Sequence, residues 1–209
     1  MVGGTASTCK YNLKDPQDTD AAFRLSFANS PTFSANGVDW NGSNQYADTH
    51  IVPSTHLLLN DVHSSYYSRE DSNGDFDLGC FDTNSQQEFA MIIKRSGGTY
   101  YSIIYEESTS LITGTLSDGS GFFMNSRTSS TSHNFYRNGS SFASNTGANG
   151  GTRPAFSVFL GAENFNGSAT GYSNKQCAFA SFGTGISGAL ASTMYSDIQT
   201  FQTALGRNV

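Results

Sequence analysis

Charge is scarce in this chain. Asp, Glu, Lys and Arg make up 13% of its 209 residues, about half the usual share. The 17 acidic residues outnumber the 11 basic ones, giving a net charge of −6. A surface that tracks phosphates draws its affinity from Lys and Arg, so DNA and RNA are excluded as partners. Long apolar runs are missing too: no stretch approaches the roughly 18 to 20 residues of a membrane helix, and no membrane insertion is expected. The opening Met1-Val2-Gly3-Gly4-Thr5 lacks the charged and apolar regions of a signal peptide. There are three cysteines, widely spaced, with no C-x-x-C pair and no His at ligand spacing, which argues against zinc and redox chemistry and for a reduced compartment. Cys80 and Cys177 sit in apolar stretches and are expected to be buried, leaving Cys9 as the reachable thiol.

No repeat recurs and no Pro-rich or charged linker divides the chain, so one domain spanning residues 1–209 is expected. What recurs is period two. Phe23, Leu25 and Phe27 alternate with Ala22, Arg24 and Ser26 and read as a half-buried strand ended by Asn29-Ser30-Pro31. Similar short strands are expected at Gln45 to Thr49, His63 to Ser68, Phe89 to Lys94, Tyr100 to Tyr105, Gly121 to Asn125, Phe156 to Leu160 and Cys177 to Phe182. This spacing predicts an all-β fold, a two-sheet antiparallel sandwich. In His133 to Phe142 the pair Asn138-Gly139 supplies a type I′ turn, which sets Arg137 against Ser140, Tyr136 against Ser141 and Phe135 against Phe142 on one buried face. The pattern then changes. Ser187 is placed to cap a C-terminal amphipathic helix at about 187–205, with Leu190, Met194, Ile198, Phe201 and Leu205 as its apolar stripe and Gly206 ending it. The stripe is expected to pack on the sandwich edge or beside a neighbouring subunit.

Three blocks resemble the laminin-G-like branch of the concanavalin A-like lectin/glucanase superfamily. They are Gly37-Val38-Asp39-Trp40-Asn41-Gly42 leading to Tyr46-Ala47-Asp48, Phe135-Tyr136-Arg137-Asn138-Gly139, and Phe159-Leu160-Gly161-Ala162-Glu163-Asn164. Cys9-Lys10-Tyr11-Asn12-Leu13-Lys14-Asp15-Pro16 and the closing stretch Cys177 to Gly183 with its helix are similar to modules attached to phage and virus-like structural proteins. The resemblance implies a jelly-roll sandwich on a virion, on a tail, fibre or capsid surface. Such a module would be made in the host cytoplasm without a signal peptide, and would here be an excerpt of a longer polypeptide. Host-surface glycans, other virion proteins and copies of itself are the partners it implies. Adhesion is the expected role, and virion decoration or assembly the alternative.

Nothing in the residues assigns an enzyme. Related glucanases carry Glu-x-Asp-x-Glu on one strand, and that spacing is absent. The glutamates are Glu70, Glu88, Glu106, Glu107 and Glu163; the adjacent pair Glu106 and Glu107 would point to opposite faces of a strand. Gly-x-Ser-x-Gly does not occur, and His50, His56, His63 and His133 are scattered. Glycan hydrolysis is therefore the least favoured role, and no catalytic residue and no cofactor are assigned. Asp71, Asn73 and Asp75, within Asp71 to Asp77, offer oxygen donors at alternate positions in the manner of a calcium loop. An EF-hand would want Gly where Phe76 stands and Glu where Asp82 stands, and Asn73-Gly74 alone explains a turn. No metal ligand is assigned. Trp40, Tyr66, Tyr67, Tyr136 and Phe165 have the composition of sugar-stacking aromatics, Trp40 being better placed for the core; no ligand-binding residue is selected. Asn41, Asn138 and Asn166 begin glycosylation triplets but read as Asn-Gly turns.

Overall fold

The computed structural model describes every residue of the chain except Gly150. In chain order the strands are β1 (Ser26–Ala28), β2 (Thr32–Ser34), β3 (Gly37–Asp39), β4 (Tyr46–Asp48), β5 (Val62–Ser68), β6 (Leu78–Asp82), β7 (Gln87–Ile92) and β8 (Thr99–Tyr105). They continue with β9 (Ile112–Thr115), β10 (Gly121–Ser129), β11 (Ser132–Arg137), β12 (Ser140–Asn145), β13 (Phe159–Leu160), β14 (Glu163–Phe165), β15 (Ser168–Thr170) and β16 (Gln176–Gly183). One sheet runs β1-β4-β13-β6-β7-β8-β9, with β14 against β6 and β15 against β14; the other runs β12-β11-β10-β5-β16-β3-β2. Pairing is antiparallel except between β14 and β6. The fold is the expected two-sheet jelly-roll sandwich with one C-terminal helix, Gly188–Ala204.

The alternation of each strand fills the space between the sheets. Leu78, Cys80, Phe89, Met91 and Ile104 enter it from one sheet, and Val38, Tyr66, Phe123, Phe135 and Cys177 from the other. Trp40 joins this core, its indole N–H donating to the Tyr66 hydroxyl at 3.1 Å. Gly161 is required beside it. Its φ is +81°, and a Cβ there would lie 2.6 Å from the indole ring.

The central strand β5 is buried along its whole length, although three of its residues are serines. Its outer face explains this: Tyr67 with Phe122, Met124, Tyr136 and Ala178 forms a second apolar layer, covered by Ala191 and Ile198 of the helix. The helix thus lies on the outer face of the seven-stranded sheet and not on the sandwich edge. Its buried stripe keeps the expected Ile198, with Met194 packed beside it, and otherwise differs. Ala191, Ile198 and Gln202 face the sheet, while Leu190 is 59% and Leu205 is 38% exposed. Small Ala191 lets the helix approach over the Asn138-Gly139 turn, where a Cβ on Gly139 would come within 3.3 Å of its carbonyl oxygen. Ser187 occupies the N-cap position without a side-chain cap bond, and Gly206 has the expected left-handed φ of +67°.

Three further expectations are corrected. Phe23 does not belong to a strand: at φ +57° it closes the short turn Asp20–Ala22, its ring meets His56 edge-on at 4.9 Å, and only Ser26–Ala28 pairs. The strand expected from Phe156 starts at Phe159. In the β11–β12 hairpin the I′ turn forms, with φ +49° and +76° at Asn138 and Gly139, and Arg137–Ser140 and Tyr136–Ser141 pair as expected. A bulge then sets Phe135 against Ala143. Phe142 is the extra residue, 39% exposed, and its ring still meets Tyr100 at 5.2 Å and Phe135 at 6.2 Å.

Candidate functional site

The structure disperses most of the residues the sequence offered for chemistry. All three cysteines are buried, including Cys9 at 2% exposure, because the N-terminal segment folds back over it. His133 lies between the sheets with Nδ1 at 2.7 Å from the Ser110 carbonyl and Nε2 at 3.0 Å from the Ser102 hydroxyl, and burial lowers its pKa to about 3. His63 faces the Thr184 carbonyl, His50 the Ser26 hydroxyl, and His56 accepts from the Val52 amide. Each is held by its own partner, and His50 and His56 both border the Asp20–Phe23 turn. Glu106 and Glu107 sit at the start of the short turn after β8, Glu106 bonded to Gln87 and Ser108. Of the five aromatics, Trp40, Tyr66, Tyr67 and Tyr136 are buried and only Phe165, 44% exposed, presents a face to solvent.

The Asp71–Asp77 loop has a different outcome. Asp71 pairs with Lys94 at 2.5 Å and Asp75 with Arg95, so both carboxylates are held by cations. Among the described residues no group of three or more His, Cys, Asp and Glu side chains could hold a metal ion. The loop instead forms one wall of an open depression of about 510 Å³, lined by Gly42, Asn73, Gly74, Asp75, Thr170, Gly171, Tyr172 and Asn174. Backbone bonds lock its walls together: Asp75 N–H to Tyr172 O at 3.3 Å, Phe76 N–H to Gly171 O at 2.9 Å, and Gly42 N–H to Ser173 O at 2.9 Å.

Beneath it lies the ion pair Asp77–Lys175, at 3.7 Å and 0% exposure on both sides. Asp77 accepts from the Ile93 amide at 2.7 Å and the Ser173 hydroxyl at 2.6 Å, while Lys175 Nζ donates to the Lys94 carbonyl at 3.1 Å. This anchoring sets Asn174, half-buried, in the wall of the depression, with its Oδ1 shielded from solvent and bonded to nothing among the described residues. Gly74 packs close against it, since a Cβ there would fall 2.7 Å from that oxygen.

The depression continues onto the outer face of the nine-stranded sheet. Arg95 bonds Asp75 and lies over the rings of Phe76, at 5.8 Å, and Tyr101, at 5.1 Å. Glu88 alternates with the core residues Phe89 and Met91 and so projects outward, where its carboxyl shares a hydrogen bond with that of Glu163 on β14. Both are nearly buried, at 7% and 5% exposure. Burial first, and the facing carboxylate second, hold Glu88 up to about 9; burial raises Glu163 to about 7, partly offset by the bond from Glu88. At neutral pH the pair therefore carries a shared proton. Beyond it, Phe165 stacks on Phe81 with centroids 5.2 Å apart and planes 13° from parallel.

No spacing points to this acid pair, because Glu88 on β7 and Glu163 on β14 meet only across β6. Nor is it spaced like the carboxyls of glycosidases, which stand about 5 to 9.5 Å apart to admit the scissile bond or a water. Here the two groups are within hydrogen-bonding reach of each other.

No protein-family model matches the chain, and no curated protein matches it. Solved structures do. The NanB sialidase of Streptococcus pneumoniae superposes with a TM-score of 0.50 and 18% identity over 68% of this chain and 26% of its own. A Trypanosoma rangeli sialidase gives 0.55 and 11% over 82% and 29%, and the binding domain of Paraclostridial Mosquitocidal Protein 1 gives 0.50 and 10% over 83% and 46%. The chain thus spans between about a quarter and about half of these proteins' lengths. What they share with it is the fold, a two-sheet β-sandwich of the jelly-roll kind.

Proposed function

We propose that this chain is a non-catalytic carbohydrate-binding module whose contact surface is the depression between Asp75 and Asn174. One observation carries the reading: a carboxylate, two side-chain amides, the Tyr172 ring and backbone groups of three glycines line an open, pre-formed hollow. Sugar hydroxyls are at once donors and acceptors, and planar amides and carboxylates offer matching forks. The hydrogen-bonded Glu88–Glu163 pair supports binding over hydrolysis. The finer placement, attachment to host-surface glycans from a phage-type particle, is supported by the ordered blocks that resemble virus-like structural modules.

The test is a glycan array on the purified protein beside its Asn174→Ala variant. The Asn174 side chain makes no hydrogen bond within the described protein, so the variant is expected to melt within about 1 °C of the parent while losing affinity roughly tenfold, the worth of about one charge-assisted or two neutral hydrogen bonds. Undiminished binding by the variant would remove the depression as the site. A silent array with a stable oligomer would favour particle assembly, for which Leu190 and Leu205 on the helix offer exposed apolar surface.

A further inference from the structure

We infer that the ligand of this site is an extended, neutral oligosaccharide, with a second subsite on the Phe81–Phe165 platform. The inference rests on the glycan-binding reading above and extends it by geometry. In the β14–β15 hairpin Glu163 pairs with Thr170 and Phe165 with Ser168. These four side chains share one face, and the two rungs lie two residues apart, about 7 Å. Thr170 belongs to the wall of the depression. A chain of sugars leaving the depression along this hairpin therefore meets Ser168 and the face of Phe165 on its next ring.

The platform is pre-organised. The two-residue turn Asn166-Gly167 has φ +51° and +93°. It is pinned by Asn166 N–H to Phe81 O at 3.0 Å, Gly167 N–H to Asn164 Oδ1 at 2.9 Å and the Thr83 hydroxyl to Asn166 Oδ1 at 3.1 Å. Phe81 fixes the ring plane from below. A phenylalanine held flat at 44% exposure contributes little to folding and is suited to the apolar face of a sugar.

Charge selects the class. Arg95, the cation beside the path, is taken by Asp75, and the Glu88–Glu163 pair keeps a negative charge along with its shared proton. A carboxylated sugar would find its nearest cation already paired in the depression and like charge beside the platform.

The experiment is titration calorimetry of the full chain with mono- to hexasaccharides of the gluco, xylo, manno and N-acetylglucosamine types, and with a sialylated trisaccharide, on the parent, Phe165→Ala, Phe165→Trp and Asn174→Ala. Affinity is expected to rise from mono- to trisaccharide. Phe165→Ala should lose that rise, roughly three- to tenfold, keep the monosaccharide affinity, and be rescued by Phe165→Trp. Asn174→Ala should weaken every length. A Phe165→Ala protein with the parent's length dependence, beside a weakened Asn174→Ala, would overturn the second subsite and leave the depression standing. Indifference of both variants, or no binding of any neutral series, would overturn both readings. Tighter binding of the sialylated sugar would overturn the neutral class.

Discussion

Replacing Lys175 by methionine is expected to destabilise the protein by about 3–5 kcal/mol, the range for stripping one partner from a buried ion pair, and to lower its melting temperature at pH 7 by roughly 6–20 °C. Both groups of the Asp77–Lys175 pair are at 0% exposure, and burial already holds the Asp77 carboxyl above its ordinary range despite the ammonium beside it. Without Lys175 the carboxylate must either remain charged in an apolar setting or take up a proton. The deficit should therefore shrink as pH falls through the pKa of Asp77 in the variant. The double variant Asp77→Asn/Lys175→Met should recover about half the loss, because the amide oxygen still accepts from Ile93 or Ser173 while the buried charge is gone. Thermal melts between pH 4 and 8 decide the matter; a Lys175→Met protein that melts like its parent at pH 7 would show that the pair carries no such weight. The variant should also bind glycan less well, since Lys175 and Ser173 flank Asn174 and set its position.

Sheet architecture was legible because period-two alternation and Asn-Gly turns are local signals. The Asn138-Gly139 hairpin, β5, β7, β8, β10 and β16 lie where those signals put them. What was illegible depended on a third layer. The helix offered a stripe of large apolar residues, yet Ala191 and Gln202 face the sheet while Leu190 does not, because close approach to the Gly139 turn favours a small residue over a large one. Likewise a single bulge moved Phe142 out of its pair with Phe135, and bulges leave little mark on an alternating pattern. For the site, the Asp71–Asp77 loop stood out by its oxygens, but in the sequence alone its resemblance to a calcium loop competed with its actual use. Its partners Lys94, Arg95, Tyr172 and Asn174 arrive from the β7–β8 and β15–β16 connections, and no spacing joins them. Phe165 was one of five candidate aromatics, with Trp40 already better placed for the core, until burial removed four.

Glu88→Gln is expected to stabilise the protein at alkaline pH and to leave it nearly unchanged in acid. The reasoning follows from the raised pKa values of the pair, about 9 for Glu88 and about 7 for Glu163, against an ordinary 4.5. Between pH 4.5 and 9 the folded state binds more protons than the unfolded one, so stability falls with rising pH across that window. Below pH 4.5 both carboxyls are protonated in either state and the pair contributes its full share. By pH 9 much of that share is lost. Glutamine at position 88 still donates to Glu163 but never ionises, so the like-charge contact vanishes. Relative to the parent, the variant should melt higher at pH 9, by at least several degrees, on the order of 2–4 °C per kcal/mol, and within about 1 °C at pH 4. Parallel melting curves for the two proteins across the whole range would mean that the carboxyls do not share a proton. Because the pair lies beside the Phe81–Phe165 platform, the same titration should reach the ligand: glycan affinity of the parent is expected to fall above neutral pH as the second carboxylate ionises, and that fall should be absent from Glu88→Gln.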